Sequence, residues 1–271
     1  MDLVISAVTH RSGSTLLQRV CCARPGTLIW GEHDGALSRF IDLRKQAMRF
    51  AESGDLQRER YFNDGEDPNR WIATMNPDAE HVEGAVVASA RAFLECLYST
   101  SRPAHDVVGF KEVRYGRDEL ALLRACYPQM HLVLLVRNPV ATWRSISGLG
   151  AWRFGDERYG SVERFVEYWD QTVRDYVDWS RTDPRSTLVV HDCLSTLEAD
   201  TVERVRRIAQ VSRQDVIDVV AHRIRSAAPV TPSPLALTSE EDALLRSGCG
   251  QSWNECRSTA SSNPQHAREH A

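Results

Sequence analysis

The first twenty residues constrain this chain most. Leu3-Val4-Ile5-Ser6-Ala7-Val8 is a short apolar run rich in β-branched residues, which predicts a buried strand. Leu16, Leu17 and Val20 follow at helical spacing, and Thr9-His10-Arg11-Ser12-Gly13-Ser14-Thr15 lies between. A strand that turns through Gly13 into a helix points several backbone N–H groups at one spot. The helix dipole adds partial positive charge there. Arg11 adds a full charge, and Ser12, Ser14 and Thr15 add hydroxyl donors. The stretch predicts a cradle for a phosphate or a sulfate. It is not a Walker A loop, because it has one glycine and no Lys before the hydroxyl. The competing reading is an ordinary strand-to-helix turn with a hydroxyl cap.

A second stretch favours the cradle. His131-Leu132-Val133-Leu134-Leu135-Val136 reads as another buried strand and runs into Arg137-Asn138-Pro139, then Val140 to Ile146. Pro139 suits the first turn of a helix. Arg137 stands at the carboxyl end of the strand and Ser145 two helical turns on, both placed for a second anion. R-S-G-S-T after one strand, with R-N-P and a Ser eight residues after that Arg, resembles the sulfotransferases that use 3′-phosphoadenosine 5′-phosphosulfate (PAPS). The resemblance implies that Arg11, Ser12, Gly13, Ser14 and Thr15 hold the 5′-phosphosulfate, and that Arg137 and Ser145 hold the 3′-phosphate. It covers residues 3–20 and 106–226 well and the rest poorly. The implied fold is a P-loop-like α/β domain, in agreement with the alternation of strands and helices along the chain. That alternation predicts a mainly parallel sheet with helices on both faces.

Length and composition are compatible with this. A chain of 271 residues can bury a sizeable core in one α/β domain. A net charge of −4 suggests neither nucleic acid nor an anionic membrane as a partner. Arg heavily outnumbers Lys, which suits planar recognition of phosphate and sulfate. Asp2 replaces the basic start of a signal peptide, and no apolar run reaches membrane-spanning length; a cytoplasmic location without membrane insertion is expected. The seven cysteines are odd in number and lack zinc spacing, so reduced core thiols are expected, with a Cys249–Cys256 pair as the alternative. No metal constellation is visible.

Further along, Gly26 to Trp30 predicts a strand ending at Gly31-Glu32-His33-Asp34-Gly35, and residues 36–51 and 80–98 predict amphipathic helices. Between them residues 52–79 are rich in charge, Asn, Gly and Pro, with Tyr61, Phe62, Trp71 and Met75 interspersed. This is either a cap over the site or a solvated connection, and the aromatic residues favour the cap. Asp106 to Phe110 predicts a strand followed by Lys111-Glu112-Val113, and Glu119–Cys126 a helix. Residues 148–160, with Trp152, Phe154 and Tyr159, predict a loop. Val162–Trp179, Leu197–Gln210 and Arg213–Ser226 predict helices around a strand at Ser186–Val190. Pro229, Pro232 and Pro234 mark an extended crossing. Thr238 and Glu241 form a capping box for a short last helix. A single domain is expected over residues 1–257, with a disordered tail at 258–271.

Sulfuryl transfer resembles phosphoryl transfer in needing positioning and charge stabilisation. By the resemblance, Lys111 lies near the transferring group, and Arg11 is the candidate for charge stabilisation at the leaving group. Cytosolic members place a His base where Val113 stands here, so the bacterial and Golgi-type branch is the one resembled. That branch uses a Glu after the second strand, which assigns the base to Glu32, with His33 and Glu112 in reserve. A carboxylate beside a bound anion is expected to have a raised pKa. His10 reads as a packing or capping residue. His191 and Asp192 depart from the family's Y-E-D-L, and Gly248, Gly250, Gln251 and Trp253 only weakly match a late 3′-phosphate segment. The expected reaction moves a sulfuryl group from PAPS, as co-substrate, to a hydroxyl of a small or medium-sized acceptor. The rivals are a P-loop-type kinase using ATP and a non-catalytic nucleotide-binding module. Trp71, Trp152 and Phe154 suit a ring on the acceptor.

Overall fold

In the computed structural model, residues 1–149, 155–222 and 236–262 are described. Their elements run β1 (Leu3–Ala7), α1 (Ser14–Cys21), β2 (Thr27–Trp30), α2 (Ala36–Ser53), α3 (Asp55–Asn63), α4 (Ala79–Tyr98), β3 (Val107–Glu112), α5 (Arg117–Cys126) and β4 (His131–Val136). They continue with α6 (Pro139–Ser147), α7 (Val162–Thr182), β5 (Ser186–Val190), α8 (His191–Ser195), α9 (Ala199–Ala209), α10 (Arg213–Ala221) and α11 (Ser239–Ser262). The sheet order is β2-β3-β1-β4-β5 and every described pairing is parallel. The expected α/β fold is therefore present.

Two compact units divide the chain. The first holds residues 1–34, 101–117 and the described residues from 129 onward. It contains the sheet, whose strands are apolar on both faces because both are covered. One face packs Leu3, Ile5, Val133 and Leu135 against Leu17 and Val20 of α1, Val202 and Val205 of α9, and Val216 of α10. On the other face, the Ser6 hydroxyl lies 2.6 Å from the Tyr176 phenol of α7. Tyr176 donates to the Tyr115 carbonyl at 3.2 Å, so Ser6 is the donor in the first bond. Burying a serine mid-sheet is tolerated because its one polar group is matched.

The second unit holds residues 35–100 and 118–128 and is helical. Phe40 of α2 packs 5.8 Å from Phe93 of α4, Arg44 pairs with Glu83 at 2.6 Å, and Tyr127 after α5 donates to the Arg91 carbonyl at 3.2 Å. The stretch expected as a cap or connection forms α3 in part. No residue of α3 is buried, so no apolar stripe announced it.

The last helix also differs from expectation. It is 24 residues long and runs through Ser262, into the stretch expected to be a tail. Its face toward α7 is built from small residues: a Cβ on Gly248 would meet Val166 at 2.4 Å, Ser252 donates to Asp170, and Arg181 binds Glu255 and Thr259 at 2.7 and 2.9 Å. Cys249 and Cys256 are buried here as free thiols. Ser, Thr and Gly at helical spacing read as disorder by composition but allow close helix packing. The prolines at 229, 232 and 234, and residues 263–271, lie outside the described residues.

Strand packing is tightest at Gly109, opposite Leu3 in the β1–β3 ladder. A Cβ there would sit 1.7 Å from the Leu3 carbonyl oxygen, a backbone atom that cannot yield without opening the ladder. Gly109→Ala is expected to cost about 3 kcal/mol in urea denaturation. Gly84, inside α4 with open space at its Cβ position, should behave oppositely, Gly84→Ala adding about 0.5–1 kcal/mol.

Candidate active site

The carboxyl ends of the central strands converge at the place where open α/β sheets bind ligands. After β1 the chain turns sharply: Arg11 has φ 64° and Gly13 φ 87°. The turn is held from inside. Thr9 donates to the His10 carbonyl at 2.9 Å, and the Ser12 hydroxyl, fully buried, donates to Thr9 at 3.0 Å. Ser12 therefore shapes the turn. Ser14 and Thr15 open α1, so their amides are the unmatched N–H groups of a helix start. Gly13 is required for space as well as conformation, since a Cβ would overlap the His191 ring at 1.9 Å.

The turn after β4 meets the first one directly. Arg137 donates from Nη1 to the Arg11 carbonyl at 2.7 Å, while its Nε is buried with no hydrogen-bond partner among the described residues. Burial pulls the Arg137 pKa down, and Asp192 opposes this. Arg11 donates in turn from Nε to the Ser145 hydroxyl at 3.0 Å. The Asn138 side chain caps α6 through the Ala141 amide at 3.0 Å, behind Pro139. Asp192 accepts from the Asn138 amide at 2.9 Å, so its position after β5 anchors the R-N-P turn. Arg11, Ser12, Gly13, Ser14, Thr15, Arg137 and Ser145 thus form one connected group. Gly248, Gly250, Gln251 and Trp253 do not join it; they lie within α11.

Beside this group stands Glu32, just past β2. Lys111, one of two lysines in the chain, donates to Glu32 Oε1 at 2.5 Å. His10 Nε2 lies 3.5 Å and Arg114 Nη1 3.4 Å from Glu32 Oε2. The direction is opposite to that expected beside a bound anion: hydrogen bonding from His10, then from Lys111, outweighs burial and holds the Glu32 carboxyl down at about 2. The sequence reading reckoned with a bound anion and missed these donors.

His33 and Glu112 form a second layer. Glu112 is fully buried and accepts from the Val113 amide at 2.8 Å, Arg114 at 2.7 Å and the His33 amide at 3.3 Å. His33 Nε2 lies 3.0 Å from the Tyr115 hydroxyl, and burial pushes the His33 pKa down. Arg114 also binds Asp34 at 2.9 Å, which ties the loop carrying Glu32 to the end of β3.

A cavity of about 560 Å³ has His10, Arg11, Glu32, Arg137 and His191 in its walls. His191 is held neutral, near 4, by burial and by Arg137. A larger cavity of about 1120 Å³ opens at the amino ends of the strands, by Asp2, His131 and Ser186; none of the residues above lines it. His10 and Arg114 were not among the expected site residues, and His191 was noted only as a departure from the family's Y-E-D-L. His10 carried a signal in its adjacency to Arg11, and His191 in its place after the last strand. Trp71 lies in the helical unit, 72% exposed, and Trp152 and Phe154 lie outside the described residues. Among the described residues, no helix is long and apolar enough to cross a membrane, and no three His, Cys, Asp or Glu side chains group as a metal site.

Comparison with known proteins gives a family. The model of the sulfotransferase family matches residues 8–215. The sulfotransferase domain from the Synechococcus PCC 7002 olefin synthase is 16% identical, with 91% of this chain and 94% of that one covered and a TM-score of 0.48. The sulfotransferase domain from the curacin biosynthetic pathway is 14% identical, with 96% of each chain covered and a TM-score of 0.49. No curated protein matches. With the family model spanning residues 8–215, three quarters of the chain and both turns, the chain belongs to the sulfotransferase family.

Proposed function

We propose that this protein transfers the sulfuryl group of PAPS to a hydroxyl of a small or medium-sized acceptor, with Glu32 as the proton acceptor. The observation that carries the reading is the buried, unmatched Nε of Arg137, joined through Arg11 to Ser145. A buried donor on a charged group is costly to leave unmatched, and a phosphate would satisfy it. The start of α1, with Gly13 pressed against His191, offers a second anion place a short distance along the same chain of contacts. Two anion places, one at each turn, suit a nucleotide with a 5′-phosphosulfate and a 3′-phosphate. In this reading Gly13, Ser14 and Thr15 hold the 5′ side, Arg137 and Ser145 hold the 3′ side, and Arg11 serves both.

When bound, PAPS supplies an activated sulfuryl group. The protein's own contribution is charge and proton placement. Arg11 and Lys111 are the cations near the developing negative charge. Glu32, held at about 2, is ionised over the working pH range but is a weak base in that state. Lys111 can exchange Glu32 for an anionic ligand, which leaves the carboxylate with fewer donors and greater basicity. The low value also sets the pH dependence. A folded-state pKa of about 2 lies below the ordinary 4.5, so Glu32 remains charged until pH falls well below 4.5, and no acid limb near neutrality belongs to it in the free enzyme.

Two measurements test this. Calorimetry should show 3′-phosphoadenosine 5′-phosphate binding far tighter than ADP. Arg137→Ala should weaken the former about 100-fold and ADP little; equal binding of the two nucleotides would contradict the PAPS assignment. With ³⁵S-labelled PAPS and a panel of phenols, alcohols and sugars, Glu32→Gln should lower kcat about 10³-fold while leaving nucleotide affinity within about twofold. Unchanged transfer would remove Glu32 from the role.

A further inference from the structure

Tyr159 is fully buried, and burial pushes its phenol pKa up. Among the described residues, both hydrogen-bond partners of its oxygen are on His10: the backbone amide at 3.1 Å and ring Nδ1 at 2.9 Å. The amide can only donate. The phenol has one proton, and buried it needs an acceptor; among the described residues Nδ1 stands within reach and accepts that proton when the imidazole is neutral. An accepting Nδ1 leaves the proton of the neutral imidazole on Nε2. Nε2 faces Glu32 Oε2 at 3.5 Å, the oxygen that Lys111 does not hold.

We propose that Tyr159 and His10 are positioning residues for Glu32, Tyr159 setting the His10 tautomer and His10 Nε2–H aiming the carboxylate into the cavity. The inference rests on the reading of Glu32 as proton acceptor. The arrangement parallels a triad in which a buried group fixes an imidazole and the imidazole fixes the next side chain. Other charged groups face this chain among the described residues. Lys111 and Arg114, at and after the end of β3, face Glu32. Asp156, near His10, is bound to Arg158 at 2.5 Å, and Arg158 lies over the Tyr159 ring at 5.0 Å. None of these four reaches an imidazole nitrogen in a recorded hydrogen bond; the Tyr159 hydroxyl at Nδ1 and the Glu32 carboxylate at Nε2 both favour the Nε2–H tautomer.

The test is nuclear magnetic resonance of the full, ligand-free chain: ¹⁵N shifts of the His10 imidazole, and ¹³C titration of the Glu32 carboxyl. Wild type should show the Nε2–H tautomer and Tyr159→Phe a mixture of both. The Glu32 titration, near 2 in the wild type, should move upward by about one pH unit in His10→Phe. It should stay near the wild-type value in His10→Gln, which keeps an N–H donor. An Nδ1–H tautomer in the wild type, or a mixture there that Tyr159→Phe leaves unchanged, would overturn the proposal. So would a Glu32 titration indifferent to His10→Phe. Tyr159→Phe keeps the ring and its packing, so the tautomer test stands even where His10→Phe does not fold. Neither readout uses nucleotide or turnover, so failure here is separable from failure of Glu32 as the base, which the transfer assay of Glu32→Gln reports.

Discussion

The hydrogen bond from Arg137 to the Arg11 carbonyl joins the two turns on which the site depends. Arg11 lies in left-handed backbone conformation, which costs a non-glycine residue on the order of 1–3 kcal/mol. A hydrogen bond from a charged donor contributes about 1.5–3 kcal/mol, enough to offset that strain. The same conformation carries the Arg11 side chain to Ser145, so one residue links the start of α1, the turn after β4 and the last turn of α6. Parallel pairing makes this possible. β1 lies between β3 and β4 in the sheet, so the turns after β1 and β4 leave neighbouring strand ends.

Electrostatics around Glu32 follow from the same convergence. The carboxylate meets Lys111, Arg114 and His10 from two segments of the chain. Such a cluster holds the carboxylate ionised and in place, at the expense of its basicity. Arg114 carries a further load, binding Glu32, Asp34 and the fully buried Glu112. Burying Glu112 is sustainable because the Val113 and His33 amides share its charge. His33 and Glu112, held in reserve as bases, are joined to each other and, through Arg114, to the loop that carries Glu32.

Much of this was legible in the sequence because local pattern and tertiary role agree. The strand runs are apolar on both faces, and the two turns carry Gly13 and Pro139 where backbone geometry requires them. What was not legible depends on contacts between distant segments. His10 was read as packing because its partners, Tyr159 and Glu32, lie far away in the chain. The depressed Glu32 pKa depends on Lys111 and His10, which only the fold brings together. α11 was underestimated because its buried face is made of Gly, Ser, Cys and Thr, residues whose composition resembles a tail. Asp192 departs from the family's usual residue, yet it anchors the Asn138 amide, a role only its neighbours reveal.

The central claim is that the two turns form one site for a nucleotide with two anionic ends. A crystal structure of the protein with 3′-phosphoadenosine 5′-phosphate tests it most directly. The account predicts the 3′-phosphate against Arg137 Nε and Ser145, and the 5′-phosphate at the amides of Ser14 and Thr15. A nucleotide bound elsewhere, with Arg137 Nε still unmatched, would contradict it.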